Sequence, residues 1–324
     1  MSIAAPPRSR HRTARRELSG GPAFAKAPRS PAHREDLLRE AAVYDVLRNR
    51  CPATAARVPK GASWNPRAAE LQMEVVPAGN LAEQVATCGV LEPAVAAAVG
   101  RAIGEFHAEG ADLGPSAPAS DWLTDGLSIA HPTPRRLRQL TAGGIALIKL
   151  LQRSRGLEAR LRALAPPAGG ALVHGDLRWE NVLVEPGTEP AVWLVDWEMG
   201  GAGEQAWDAG CFAAACVSAW LCSIPAVPGM APDQLAAEAG LPMDALALGL
   251  DAFWTAYRDV APGTRTDAWA ERCTQLAAVR LVYRGFECTQ YDVDLEPVPV
   301  SHLQVAANML DDPVRAAHGL LALS

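Results

Sequence analysis

The run His174-Gly175-Asp176-Leu177-Arg178-Trp179-Glu180-Asn181, followed 15 residues after its Asn by Asp196 in Leu194-Val195-Asp196-Trp197-Glu198, is the densest concentration of reactive side chains in the chain. An Asp with an Asn five residues on, then a second Asp at the end of a neighbouring apolar run, supplies what phosphoryl transfer from ATP to a hydroxyl requires. One carboxylate accepts or orients the proton of the attacking hydroxyl, while an amide oxygen and a second carboxylate hold Mg²⁺ across the nucleotide phosphates. Asp176, Asn181 and Asp196 fit those roles in that order. Taken singly, each is an ordinary turn former or helix cap; three in register between short apolar runs describe a site.

The elements that must position them follow from local patterns. The runs ALV, VLV and VWLV within 171–195, separated by polar and turn residues, predict small β-hairpins around the motif. Upstream, LSGGPAFAKAP over 18–28 pairs a Gly-Gly turn with an apolar run bounded by Pro28, which predicts a hairpin entering a strand that carries Lys26. Ser30 as cap, Pro31 at the first helical position and Leu37, Ala41, Tyr44 and Leu47 at spacings of four and three predict a helix to about Arg50. A second strand is expected over 69–76, and Pro77-Ala78-Gly79-Asn80 breaks the chain into 1–76 and 77–324. Beyond it the pattern is mostly helical: 94–107, one or two amphipathic helices over 135–164, a loop at 166–170, and helices again from Trp207 to the end. His107, near the end of its Ala-rich helix, is expected to meet the negative end of the helix dipole. Trp179, Trp193, Trp197 and Trp207 are expected to pack between the loop and the helices.

On these residues the chain resembles the aminoglycoside phosphotransferase family. That family's catalytic loop reads His-Gly-Asp with Asn five positions after the Asp, here HGDLRWEN, and its metal-binding segment reads Asp, aromatic, acid, here Asp196-Trp197-Glu198. Its Gly-Asp-Pro-x-x-Asp element is similar to Gly203-Glu-Gln-Ala-Trp207-Asp208. The resemblance runs from about Lys26 to the C-terminal helices. It implies an α+β, bilobal protein-kinase-like fold, with a small β-rich, nucleotide-binding N-lobe in 1–76 and a larger, mainly helical C-lobe in 77–324 that holds the catalytic loop and acceptor site. It also implies ATP and Mg²⁺ as cofactors and Asp208 as a brace for the catalytic loop; His174 is expected to order that loop by hydrogen bonds, and Glu198, beside the metal site, to accept from the substrate or to support the metal's ligands from behind. Lys26, one of only three lysines, becomes the phosphate clamp, and Glu40, 14 residues on at the edge of its helix's buried stripe, becomes the acid that orients it. The family places a glycine-rich turn before the lysine strand, but only 25 residues precede Lys26, and Gly20-Gly21 suit the hairpin between the second and third strands. The covering turn is then expected within residues 1–12, which hold no glycine, so that either the cradle is reduced or the coding start lies upstream.

Composition narrows the partners. The 324 residues carry 30 basic and 36 acidic side chains, a net charge of −6, which excludes a general nucleic-acid or membrane-surface binder. The longest apolar run, 211–222, is 12 residues, short of the roughly 18 of a membrane span, and reads as a core helix. Arg8, Arg10, Arg12, Arg15 and Arg16 precede no apolar segment of the signal-peptide kind and read as a solvated flank. Seven cysteines without a CxxC pair read as buried thiols in a reducing cytosol, giving a cytoplasmic expectation. For the acceptor, SGGPAFAKAP with LLREAAVYDVL, IALIKLLQRSRGLEARL and HGDLRWENVLV with VDWE are similar to the stand-alone kinases of bacterial ribosomal-peptide natural-product pathways of the lanthipeptide or thioamitide kind. That likeness implies a Ser/Thr hydroxyl of a precursor peptide as acceptor and a lyase partner that eliminates the phosphate. The basic flank or Arg135-Arg136-Arg138 would meet an acidic leader. The alternatives are a small-molecule kinase, for an aminoglycoside or another metabolite, and a non-catalytic kinase-fold scaffold. The chain ends LLALS without a carboxylate-bearing tail, so an ammonium-rich acceptor would depend on Glu198, Glu204, or Glu287 with Asp292, Asp294 and Glu296.

Overall fold

The computed structural model describes residues 11–18, 21–116, 129–164, 170–225, 227, 229–230, 232–290 and 294–320. Expectations for the covering turn fall mostly outside these residues, as do the loop at 166–170, Asp292, and the side chains of Arg135 and Arg136.

The chain opens with an antiparallel hairpin, β1 (His11–Leu18) and β2 (Gly21–Pro28), in which Thr13 faces Lys26. The segment 31–33 forms a 3₁₀ turn that runs into helix α1 (Arg34–Arg50). Ser30 starts this turn through its backbone carbonyl, which accepts from His33 N–H at 3.0 Å, and not through its hydroxyl. Helix α2 (Pro52–Ala55) leads to β3 (Ser63–Asn65) and β4 (Glu70–Glu74), completing a four-stranded sheet in the order β1-β2-β4-β3. In this sheet Lys26 lies opposite Leu71 and Phe24 opposite Met73, so the lysine shares a face with two buried apolar residues. Helix α1 buries Leu37, Glu40, Ala41, Val43, Tyr44 and Leu47. An acid thereby enters an otherwise apolar stripe.

The chain leaves this sheet at Glu74 and enters a second one at β5 (Gly79–Asn80). Asn80 caps helix α3 (Leu81–Cys88), its side chain accepting from Glu83 N–H at 2.8 Å. Helix α4 (Pro93–Gly110) follows, then α5 (Pro134–Leu137), α6 (Ala142–Arg153) and α7 (Arg155–Ala163). The stretch expected as one or two helices is therefore three short ones, the last two separated at Ser154. Strand β6 (Ala171–Val173) pairs with β9 (Gly201–Gly203), while β7 (Val182–Glu185) forms a hairpin with β8 (Ala191–Leu194) and takes β5 on its other edge.

The remainder is helical: α8 (Gln205–Ser223), α9 (Pro232–Ala237), α10 (Met243–Val260), α11 (Asp267–Cys288), α12 (Pro297–Asp311) and α13 (Pro313–Leu320). Helix α8 is long and apolar enough to cross a membrane, but 72% of its apolar window is buried inside the protein, the burial of a core helix. Its neighbours pack closely: at Gly100 of α4 a Cβ would lie 2.2 Å from the carbonyl oxygen of Phe253 in α10, so only glycine permits that approach. The result is an α+β architecture, with a small antiparallel sheet and one long helix ahead of a larger helical body. All seven cysteines are free thiols.

Candidate active site

Strand β6 delivers His174, and the chain then turns at Gly175, whose φ is +82° and where a Cβ would sit 2.4 Å from the carbonyl oxygen of Met199. A side chain is excluded there on both counts. Fully buried Asp208, from the first turn of α8, fixes the turn by accepting the backbone N–H groups of His174 at 2.6 Å and Gly175 at 2.9 Å. Trp207 Nε1–H donates to the Gly175 carbonyl at 2.8 Å. His174 Nδ1 accepts from Asp176 N–H at 3.4 Å, which leaves Nε2–H to donate to the Val195 carbonyl at 2.9 Å. The histidine thus ties the loop to the residue before Asp196.

Asp176 is held at the tip. The Asn181 amide, carried on a 3₁₀ turn (Trp179–Asn181), donates to the Asp176 carbonyl at 2.8 Å and to its Oδ2 at 3.3 Å. Its amide nitrogen is spent on Asp176, and Oδ1 stands for another partner. Asp196 follows β8 in the left-handed region, at φ +68° and ψ +57°. Asp tolerates this conformation better than most side chains, at some strain.

Lys26, Glu40 and Asp196 come together from β2, α1 and the turn after β8. Lys26 Nζ donates to both Glu40 oxygens, at 2.8 and 2.9 Å, and to Asp196 Oδ1 at 2.5 Å. One ammonium serves two carboxylates, and their titration divides accordingly. Burial would lower the lysine, but Asp196 and Glu40 outweigh it and hold the ammonium well above its usual range. Burial pushes Glu40 up to about 7 against the pull of Lys26. For Asp196 the penalty of burial is overcome by Lys26, which brings it down to about 2. Asp196, the more accessible of the two, is therefore the fixed charge.

Glu198 points to the opposite lobe: His11 Nε2, from β1, lies 2.6 Å from its Oε2. His107 does not act at its helix terminus. It is fully buried, with Nδ1 2.7 Å from the Tyr257 hydroxyl and Nε2 3.3 Å from Asp208 Oδ2, so tertiary contacts take the imidazole in place of the helix dipole. Among the tryptophans, Trp179 packs on Phe212 and Trp197 packs against His174, their rings tilted by 41° with centroids 4.4 Å apart.

Sequence reasoning left out an arginine cluster. Arg178 Nε lies 3.2 Å from Asp176 Oδ2, and Arg280 Nη2, from α11, lies 3.6 Å from Oδ1. Arg280 and Arg284 both pair with Glu287, at 3.0 and 3.1 Å. Burial would raise the Glu287 carboxyl, but Arg280 and Arg284 hold it down to about 2. The signal was present: an Arg inside the Asp-to-Asn loop, and Arg280 and Arg284 at i,i+4 in the otherwise apolar run AAVRLVYRGF.

Among the described residues no group of three or more His, Cys, Asp or Glu forms a self-sufficient metal site. The hard oxygen donors of Asp196 and Asn181 suit a magnesium ion that takes its remaining ligands from phosphates and water. The ammonium already resting on Asp196 shows that this carboxylate accepts a cation.

No curated protein matches the chain. Solved structures share its fold. A choline/ethanolamine kinase family protein from Mesorhizobium loti is 16% identical with a TM-score of 0.54, covering 96% of this chain and 93% of its own. An ethanolamine kinase from Plasmodium vivax is 12% identical with a TM-score of 0.58, covering 95% and 81%. An amicoumacin kinase solved in complex with AMP-PNP, Ca²⁺ and Ami is 14% identical with a TM-score of 0.53, covering 94% and 86%. All three are kinases, and the small sheet followed by a helical body is the kinase-like architecture common to them. The model of the phosphotransferase enzyme family matches residues 5–248, a span that takes in the strand of Lys26, the His174 loop and Asp208 alike, and on that match the chain belongs to this family of ATP-dependent enzymes that phosphorylate hydroxyl groups.

Proposed function

We propose that this phosphotransferase moves the γ-phosphoryl group of ATP onto a Ser or Thr hydroxyl of a precursor peptide, making the phosphoester that a separate lyase eliminates. In this reading residues 1–76 bind the nucleotide and 77–324 present the acceptor. Lys26, oriented by Glu40, clamps the phosphates, and Asp196 and Asn181 hold Mg²⁺. Bound there, the metal neutralises charge on the phosphate oxygens. Asp176 receives the hydroxyl proton as the acceptor oxygen bonds to the γ-phosphorus and the bond to the departing ADP oxygen breaks. Asp208 and His174 hold the loop in the shape that presents Asp176, and Glu198, through His11, keeps the first strand beside Asp196.

The observation that carries the peptide reading is the state of the carboxylates around Asp176. An aminoglycoside or another polyamine needs several of them unpaired. Glu198 is bound to His11, Glu204 to Arg272 through Nε at 3.0 and 3.1 Å and Nη2 at 2.9 Å, and Glu287 to Arg280 and Arg284. Asp294 and Glu296 are exposed to solvent. A peptide hydroxyl needs none of these groups. The test supplies the protein and Mg-ATP with a kanamycin-type aminoglycoside and with a Ser/Thr-bearing precursor peptide, the lyase being left out so that the phosphoester accumulates. Mass spectrometry is expected to show one phosphoryl group on the peptide and none on the aminoglycoside; the reverse would overturn the reading.

A further inference from the structure

Asp176 is flanked by guanidiniums. Arg178 comes from the catalytic loop, whereas Arg280 and Arg284 sit on successive turns of α11, where a spacing of four puts them on one face. Arg284 completes the group by reaching Glu180 at 3.8 Å and Glu287 at 3.1 Å. Three guanidiniums thus face three carboxylates, Asp176, Glu180 and Glu287, and an ammonium brought here would find each of them already neutralised.

The arginine donors are not exhausted. A guanidinium carries five N–H donors. Arg178 Nε and Arg280 Nη1 are shut off from solvent and stand opposite carboxylates at 3.2 and 3.0 Å without an aligned hydrogen bond. The Arg280 side chain is 7% exposed, while those of Asp176, Arg178, Arg284 and Glu287 are 24–28% exposed, so the cluster has a closed floor and an open mouth. A closed floor with misaligned donors is suited to an oxyanion that enters from the mouth, because a planar fork binds a carboxylate or phosphate through two parallel hydrogen bonds.

We propose that the acceptor carries a carboxylate or phosphate beside the hydroxyl it offers, and that Arg280 and Arg178 bind this anion while Asp176 takes the hydroxyl proton. The inference rests on the reading of Asp176 given above. In a peptide the anion is an acidic residue next to the Ser or Thr; in a small acceptor it is the acid group of a hydroxy acid. Anion binding draws Arg280 off Glu287, which retains Arg284.

The test uses the full chain with Mg-ATP and five acceptors: three peptides of one length with Asp, Ala or Lys on both sides of a single Ser, and glycerate and choline as small molecules. Phosphorylated product is quantified by mass spectrometry. The Asp peptide is expected to outrun the Lys peptide by about tenfold or more, equivalent to about 1.4 kcal/mol, and glycerate to outrun choline. Arg280→Lys keeps the charge but loses the fork, and Arg284→Glu reverses the charge at the mouth; both are expected to collapse the Asp-to-Lys rate ratio. A ratio taken within one preparation does not depend on the folded fraction, so a destabilised variant still reports. Preference for the Lys peptide and choline overturns this inference and leaves the peptide reading standing. Product from glycerate with none from any peptide overturns the peptide reading and supports this one. No product from any acceptor overturns both.

Discussion

Replacing Asp208 by Asn tests whether the catalytic loop is held by a buried carboxylate. The side chain is fully buried and receives two backbone N–H groups, from His174 at 2.6 Å and Gly175 at 2.9 Å, one on each oxygen. Hydrogen bonds to a charged group contribute about 1.5–3 kcal/mol each, and a buried donor left unsatisfied costs about 1–3 kcal/mol. Asn keeps one oxygen, so one N–H retains a neutral partner and the other faces an amide N–H. Summing one lost charge-assisted bond and one orphaned donor, and allowing for relaxation, the variant should lose about 2–5 kcal/mol. At about 1.5 °C per kcal/mol for a chain of this size, melting should fall by roughly 3–8 °C. Catalysis should suffer more than stability alone accounts for. Asp176 is two residues from the broken contact, and a displacement of about 1 Å costs on the order of 10²-fold in rate. The assays are thermal unfolding followed by circular dichroism, and ADP release from Mg-ATP at a temperature where both proteins are folded. Melting within about 1 °C of the parent together with unchanged turnover would refute the argument that this carboxylate shapes the loop.

Two further expectations separate the groups of the cleft from those of the core. Asp176→Asn should lower phosphoryl transfer by about 10²–10⁴-fold while Mg-ATP still binds, whereas Asp196→Ala should abolish magnesium-dependent nucleotide binding; calorimetry and single-turnover kinetics on both variants distinguish them. His302 is fully buried between the Ser218 hydroxyl at 2.9 Å and the Val298 carbonyl at 2.8 Å, and burial pushes its imidazole from 6.5 down to about 4. The unfolded chain takes up this proton below about 6.5 and the folded one only below about 4, so stability should fall as pH drops through that window, by up to about 3 kcal/mol. In His302→Gln that part of the acid slope should vanish; an unchanged slope in urea unfolding between those pH values would show the assignment to be wrong.

Helix α1 and the strand carrying Lys26 were legible because both are set by local chemistry: a proline-initiated stripe at helical spacing, and an apolar run bounded by glycine and proline. Strand β3 was not, since Ser63-Trp64-Asn65 has no alternation of its own and exists only by pairing with β4. The same holds for β9, a Gly-Ala-Gly segment that becomes a strand through β6. His107 was misread for a related reason. Its place near a helix end suggests a dipole contact, but Asp208 and Tyr257, 101 and 150 residues away, decide its environment.

The candidate site divides along the same line. Its motif residues could be named because phosphoryl transfer constrains their types and spacing within one loop and one turn. Its charge balance could not, because that depends on which distant side chains meet the motif. Lys26 reaches Asp196 across 170 positions, His11 reaches Glu198 across 187, and Arg280 meets Asp176 from a helix that begins at Asp267. Each pair joins a residue the motif makes conspicuous to one that lies outside the motif. In the proposed mechanism the motif residues carry the chemistry, and their distant partners would decide which charge an acceptor meets on arrival. A sequence motif therefore reports the reaction more readily than the substrate, and the proposed anion site of the α11 arginines would select the substrate from outside the motif while touching its central carboxylate.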